Sequence, residues 1–251
     1  MKKFVIAIIS SMLLAPLAIK AESPAFIDYG KPASFIDIDA HLMFGGSYVT
    51  NNYSSCYKEI SDINSTMGFA YGVGVGVKFN FSNFIGLGTQ FNYVHNKNKM
   101  DMAVTQEGAP NVSNVFIRNS YRYVDIPVYM SFTFNLASRV KWNADGGLYM
   151  AFGTGGKQKA TIYNAKVNDL GQLMTTTQKF KANYFDDDKA FINSYEKFDM
   201  GLHLGTGLTF YDKISVNVNT RIGFRNVAKS SGIVKPSAHN FNVYCSVGYR
   251  L

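Results

Sequence analysis

The sequence predicts an all-β fold, an eight-stranded antiparallel up-and-down transmembrane β-barrel with short periplasmic turns and long extracellular loops. Three observations predict it. First, residues 67–81 alternate throughout, with Met67, Phe69, Tyr71, Val73, Val75, Val77, Phe79 and Phe81 on one side and glycine, alanine, lysine and asparagine on the other. A period of two is a strand with one apolar face. This one is longer than the roughly 5–6 residues usual in soluble sheets and meets the ~9–11 needed to cross a bilayer at a tilt. Second, its aromatics lie toward the ends and its valines in the middle, as interfacial girdles around a hydrocarbon band require. Third, the connections between successive alternating segments run long, short, long, short, long, short, long, which places both termini on the periplasmic side.

Composition agrees. Charged residues are only 17% of the chain, against roughly a quarter in soluble domains, yet the mean hydropathy is near zero because apolar and polar residues alternate. Beyond the N-terminus no apolar run approaches the ~20 residues of a membrane helix. Residues 1–21 carry Lys2 and Lys3 ahead of an apolar run and end at Ala21, the pattern of a signal peptide. Its removal takes Lys2, Lys3 and Lys20 and no acid, lowering the formal net charge from +8 to +5. Residues 22–33, with Pro24 and Pro32 and no period, read as a periplasmic tail, and residues 34–251 as the barrel domain. Cys56 falls in a loop and Cys245 on a lipid-facing strand position, so no disulfide is expected.

Taken in order, the first strand sets Ile36, Ile38, Ala40, Leu42 and Phe44 against Asp37, Asp39 and His41. A polar loop through Cys56 leads to the strand at 67–81, and a tight turn at Ser82-Asn83 follows. The third strand places Ile85, Leu87, Phe91 and Tyr93 outside, and residues 97–118 read as a loop. The fourth sets Val124, Ile126, Val128, Met130 and Phe132 outward, with Pro127 inward and a bulge expected there because proline removes a ladder donor. The fifth carries Trp142, Leu148, Met150 and Phe152. The connection at 153–197 is the longest, and its pieces 160–165 and 174–180 are expected to pair as a projecting hairpin. The sixth strand starts at Phe198 and turns at Asp212-Lys213. The seventh starts at Ile214, and the eighth runs from Phe241 to Leu251.

Tyr123-Val124-Asp125-Ile126-Pro127-Val128 resembles the aromatic–aliphatic–acid–aliphatic–Pro–aliphatic strand of the PorT-like outer-membrane β-barrel family, common in Bacteroidetes. Phe198-Asp199-Met200-Gly201 and the closing Val247-Gly248-Tyr249-Arg250-Leu251 are similar to later strands of that family, although Leu251 stands where an aromatic is the rule. The resemblance implies the cell outer membrane and an eight-stranded barrel. It implies no single activity; one member serves a secretion apparatus, which makes an accessory barrel of secretion one of the alternatives.

Inward positions collect the acids Asp37, Asp39, Asp125, Asp145 and Asp199 and the bases Lys78, Lys141, Arg221, Arg225 and Arg250. An eight-stranded bore is just wide enough for its own side chains, and isolated buried charges are costly. The expectation is therefore an ion-pair network that plugs the lumen, with Tyr129, Tyr149, Tyr211 and Tyr244 filling volume that facing glycines vacate. His41 and His203 also point inward, but no serine stands in a nucleophile setting beside them. Asp186-Asp187-Asp188 lacks the spaced ligands of a calcium loop, and Gly153-Thr154-Gly155-Gly156-Lys157 lacks the residues of a phosphate loop. No cofactor or metal motif is recognised. Arg118 and Arg122, near the rim, are the candidates for contact with lipopolysaccharide phosphates.

The expected protein is a non-enzymatic surface-interaction barrel. Its partners are outer-membrane lipid and lipopolysaccharide, the barrel-assembly machinery during biogenesis, and an unidentified extracellular or envelope protein; nucleic acid is not among them. The competing readings are an outer-leaflet lipid-modifying enzyme using an inward histidine and a soluble lipocalin-like barrel. The second needs the apolar face turned inward.

Overall fold

The computed structural model describes residues 25–105, 111–167, 170, 172–185, 194–229 and 235–251. The segment read as a signal peptide and the run Asp186-Asp187-Asp188 lie outside them. Among the described residues the elements are β1 (Ile36–Asn51), a single helical turn α1 (Tyr53–Cys56), β2 (Ile60–Asn80), β3 (Ile85–Thr105), β4 (Asn111–Ala137), β5 (Val140–Val167), β6 (Leu173–Asn183), β7 (Phe198–Phe210), β8 (Ile214–Gly223) and β9 (Ala238–Arg250).

Every pairing is antiparallel. β1 joins β2 and β9, β4 joins β5, and β5 joins β7, so eight strands close into a ring without an edge. β6 stands outside that ring and pairs only with the distal half of β5, from Lys157↔Asn183 to Val167↔Leu173. This is the projecting hairpin that the alternation at 160–165 and 174–180 predicts.

The outer wall is apolar across the spanning region. Leu42, Val73, Val75, Phe91, Leu148, Leu202 and Val247 are all exposed, which in water would be an aggregation surface and in lipid is the required one. A lipocalin-like barrel would need the opposite orientation. The tail packs across the periplasmic turns: the Phe26 ring lies 5.0 Å from that of Phe134, and the Asn83 amide donates to the Gly30 carbonyl at 3.0 Å.

Three local expectations are corrected. Residues 97–118 are not a loop over most of their length. β3 and β4 stay paired from Tyr93↔Val124 up to Thr105↔Val112, well beyond the wall. No register shift occurs at Pro127. It keeps its place opposite Tyr149 in β5, and the Thr89 hydroxyl donates to its carbonyl at 3.0 Å, so the missing N–H is absorbed by a gap in the β3 ladder. The shifts fall instead at Ile60/Asp62 and Met67/Tyr71 in β2 and at Arg122/Tyr123 and Asn135/Ala137 in β4. The turn after β7 lies one residue earlier than expected. Tyr211 and Asp212 have φ of 54° and 58°, the primed hairpin geometry, so Tyr211 faces out from the turn and does not fill the bore.

Candidate functional site

The lumen is filled at two levels and open at a third. Midway, Arg221 of β8 is 1% exposed and its Nε stands 2.7 Å from Asp125 Oδ2 of β4. The contact is an ion pair by distance although its angle falls short of a hydrogen bond, and neither Nη atom has a protein partner. The guanidinium lies over the Tyr244 ring, 5.3 Å from its centroid. Tyr129 and Tyr149 fill the adjacent space. A Cβ at Gly88 would sit 2.5 Å from the Tyr129 ring and one at Gly201 2.6 Å from that of Tyr149, so a side chain at either position would displace the ring. Asp199 accepts from the Tyr149 hydroxyl at 2.9 Å and from Asn240 at 2.8 Å.

Toward the outer mouth the filling turns aromatic. After β6 the chain enters the barrel top, where Tyr184 stacks on Tyr121 at 4.3 Å and on Tyr195 at 4.3 Å. Tyr121 bonds the Ser47 hydroxyl at 2.8 Å, and Tyr53 of α1 donates to the Tyr195 hydroxyl at 3.3 Å. Gly153 and Gly156 leave room for this insertion, since a Cβ on either would collide with Phe185 or Tyr184. Gly153 and Gly156, two of the three glycines in residues 153–157, therefore serve packing. Burial raises the Tyr53 hydroxyl to about 12 and also raises those of Tyr184 and Tyr195 well above the ordinary tyrosine value. Sequence reasoning missed Tyr184, Phe185 and Tyr195; aromatics in an otherwise polar connection were the available signal.

At the periplasmic end a polar vestibule of about 420 Å³ opens, lined by Asp37, Asp39, Lys78, Lys141, Asp145 and Arg250 among others. Arg250 Nη1 is 3.3 Å from Asp37, but Lys141 pairs at 2.6 Å with Asp212 of the turn, and Lys78 donates to the Thr133 hydroxyl at 3.0 Å. Asp39 is 2.7 Å from His41, and Asn143 donates to Asp145 at 3.1 Å. Arg225 is not lumenal: β8 ends at Gly223, and Arg225 lies exposed on the outer side, over the Phe198 ring at 5.0 Å. Arg118 and Arg122 are exposed on the outward face of β4.

Both ring nitrogens of His41 are held, by Asp39 and by Asn92 Oδ1 at 2.7 Å, and neither nitrogen of His203 meets a hydrogen-bond partner. A serine–histidine contact exists elsewhere. On the outward face, His95 Nε2 is 2.7 Å from Ser120 Oγ and His95 Nδ1 is 3.0 Å from the Tyr71 hydroxyl. Among the described residues no cluster of three or more metal-ligating side chains occurs. Cys56 and Cys245 are both free.

The ring of eight strands, its apolar wall and its charged, filled bore meet a family model described as "Outer membrane protein beta-barrel domain", which matches residues 30–229. The chain belongs to this family. It is accordingly an outer-membrane β-barrel. No curated protein matches it in sequence. Among solved structures it is similar to Ail, the attachment invasion locus protein of Yersinia pestis (12% identity, 87% of this chain and 100% of that one, TM-score 0.37). It is also similar to Neisserial surface protein A (10%, 88% and 100%, 0.33) and to OprG from Pseudomonas aeruginosa (9%, 89% and 98%, 0.35).

Proposed function

We propose that this outer-membrane barrel is a non-conducting, non-enzymatic surface protein that acts through the sheet formed by the distal parts of β2–β6. The observation that carries the reading is the double block in the bore: the Arg221–Asp125 pair at mid-height and the Tyr121–Tyr184–Tyr195 stack above it. A barrel so filled offers no path for solute, and what remains for function is the outside. An envelope or extracellular protein is the partner class for the projecting sheet, and delivery by the assembly machinery follows export by residues 1–21. Membership in the PorT-like branch is part of the same proposal, supported by residues 123–128 and 247–251. In planar bilayers the purified protein should give no discrete conductance steps; regular steps from the wild type would sink the reading.

A second reading rests on Ser120, His95 and Tyr71, which form a hydrogen-bonded chain where an outer-leaflet esterase would need its nucleophile and base. It ranks below the first because a neutral tyrosine, and no carboxylate, orients the histidine. A fluorophosphonate probe decides it. Labelling of the wild type but not of Ser120→Ala would favour the enzyme, and no labelling at pH 8 would end it.

A further inference from the structure

The outward face of the projecting sheet carries a ladder of cations. The register sets Lys99 opposite Arg118, Arg118 opposite Lys159, and Lys159 opposite Lys181, so one row across β3, β4, β5 and β6 is basic at every position. The row below reads Lys97, Ser120, Lys157 and Asn183, and the row below that begins His95, Arg122. Strands lie about 4.8 Å apart, so four positive charges span only about 14 Å. Like charges placed directly opposite one another destabilise a sheet. Among the described residues none of these lysines and arginines is in an ion pair; the acids on this face are Asp101, in the next row outward and in line with Lys179, and Asp62 beyond it. A hollow of about 250 Å³ lined by Lys157, Lys159, Lys181, Ala182 and Asn183 marks the end of the ladder nearest β6.

This arrangement needs an external polyanion, and its height says which. The same face of β3 carries Phe91 and Tyr93 in the wall, both exposed to lipid. At about 3.4 Å per residue and a tilt of roughly 40°, the β3 members of the three rows, His95, Lys97 and Lys99, stand about 5, 10 and 15 Å above Tyr93. That is the layer just outside the hydrocarbon. The side chains point sideways into the leaflet, where a soluble ligand arriving from above would meet them edge-on. We propose that the ladder Lys99–Arg118–Lys159–Lys181, with Lys97, Arg122 and Lys157 beneath it, is a binding surface for the phosphate groups of outer-leaflet glycolipid. Arginine contributes bidentate contacts to phosphate and the lysines contribute point charges. The inference rests on the external orientation of the sheet. Protease applied to intact cells, cutting within residues 153–197 and sparing the turn at Asp212-Lys213, tests that orientation separately.

The test uses the full protein in nanodiscs or detergent, with purified lipopolysaccharide and the same material after enzymatic dephosphorylation as probes. Each basic residue near an anionic lipid surface is worth about fivefold in affinity. The wild type should therefore bind the phosphorylated form more than tenfold more tightly, and the preference should shrink in high salt. The variant K99E/R118E/K159E/K181E, all at exposed positions and checked for folding by heat-modifiability on gels, should lose that preference. Equal binding of the two lipid forms by the wild type, or an unchanged preference in the variant, overturns the proposal. So does inositol hexakisphosphate binding as tightly as the lipid, which would assign the face to a soluble polyanion.

Discussion

The strands β3 and β4 each pass through two regions with opposite rules. Within the wall, β3 turns Leu87, Phe91 and Tyr93 outward and Gly88, Gln90 and Asn92 inward. Beyond it, the same parity presents Lys97 and Lys99 outward, while Met100 and Met102 are buried. β4 repeats the inversion, with Val128 and Met130 outward below and Arg118 and Arg122 outward above, where Val115 and Ile117 turn inward. Backbone, register and pairing are continuous, and only the solvent changes. Lipid below rewards an apolar exterior and forces the polar groups into the bore. Water above reverses the exterior, and Met100, Val115 and Ile117 there join Tyr121, Tyr184 and Ala160 in an apolar cluster that continues down to Tyr149 and Tyr244 in the bore.

The comparison breaks most readily at the lower interior. Asp125→Leu leaves the Arg221 charge buried without its partner and should cost about 3–5 kcal/mol, whereas the double variant with Arg221→Met should recover most of that loss. Urea unfolding in detergent micelles, read by tryptophan fluorescence and gel mobility, measures both. A double variant as unstable as the single would mean that the arginine is solvated and the middle of the bore is not closed.

In the upper region the corresponding interior change is Ile117→Ala, which removes a side chain 1% exposed and should cost about 2–5 kcal/mol, confined to the projecting sheet. The barrel should keep its heat-modifiable band while amides of residues 97–105 and 113–120 exchange faster. Loss of the band itself would show that the two regions fold as one cooperative unit.

On the outer face the same substitution should give opposite results in the two regions. Val75→Arg, on a lipid-facing position at mid-strand, should cost about 2–4 kcal/mol and reduce the amount of protein in the outer membrane. Asn64→Arg, also outward on β2 but beyond the wall and opposite Asp101, should be near neutral. Equal abundance of the two variants in outer-membrane fractions would erase the boundary that the inversion defines.

That boundary also explains what could be read in advance. The ring, its strand order and the hairpin at 160–180 were legible because apolar-out alternation is regular in Val73, Val75 and Val77 and their counterparts. Residues 97–118 read as loop because the template expects apolar side chains outward, and Lys97, Lys99 and Arg118 violate it while keeping the period. The inward charges were assignable by parity as far as the strands run, so Arg225, two residues past the end of β8, fell on the wrong side. Pairings were not legible. Asp212 lies in a turn, and its position against Lys141 follows from the pairing of β5 with β7, which brings together residues 71 positions apart. The aromatic plug was hidden for a similar reason, because Tyr184 and Tyr195 belong to no alternating segment and acquire their meaning only from the mouth they enter.

The smallest expected effect distinguishes that plug from the charged region below it. Tyr53 is buried at the outer mouth with its ionisation raised to about 12, against 10 for an exposed tyrosine, because burial disfavours the phenolate. A group whose folded value is raised stabilises the folded form below its unfolded value. That contribution is intact below pH 10 and is lost as pH climbs from 10 through 12. The plug should therefore loosen over this window while the antiparallel pairing of the wall keeps the barrel closed. Absorbance at 295 nm should show a late tyrosine step near pH 12 that is missing in Tyr53→Phe. In the same window, protection of the Tyr195 amide, which donates to the Tyr184 carbonyl at 3.0 Å, should fall in the wild type and persist in the variant. Identical pH profiles for the two proteins would mean that Tyr53 already meets water, and that the upper region is held by the sheet alone without the stacked tyrosines.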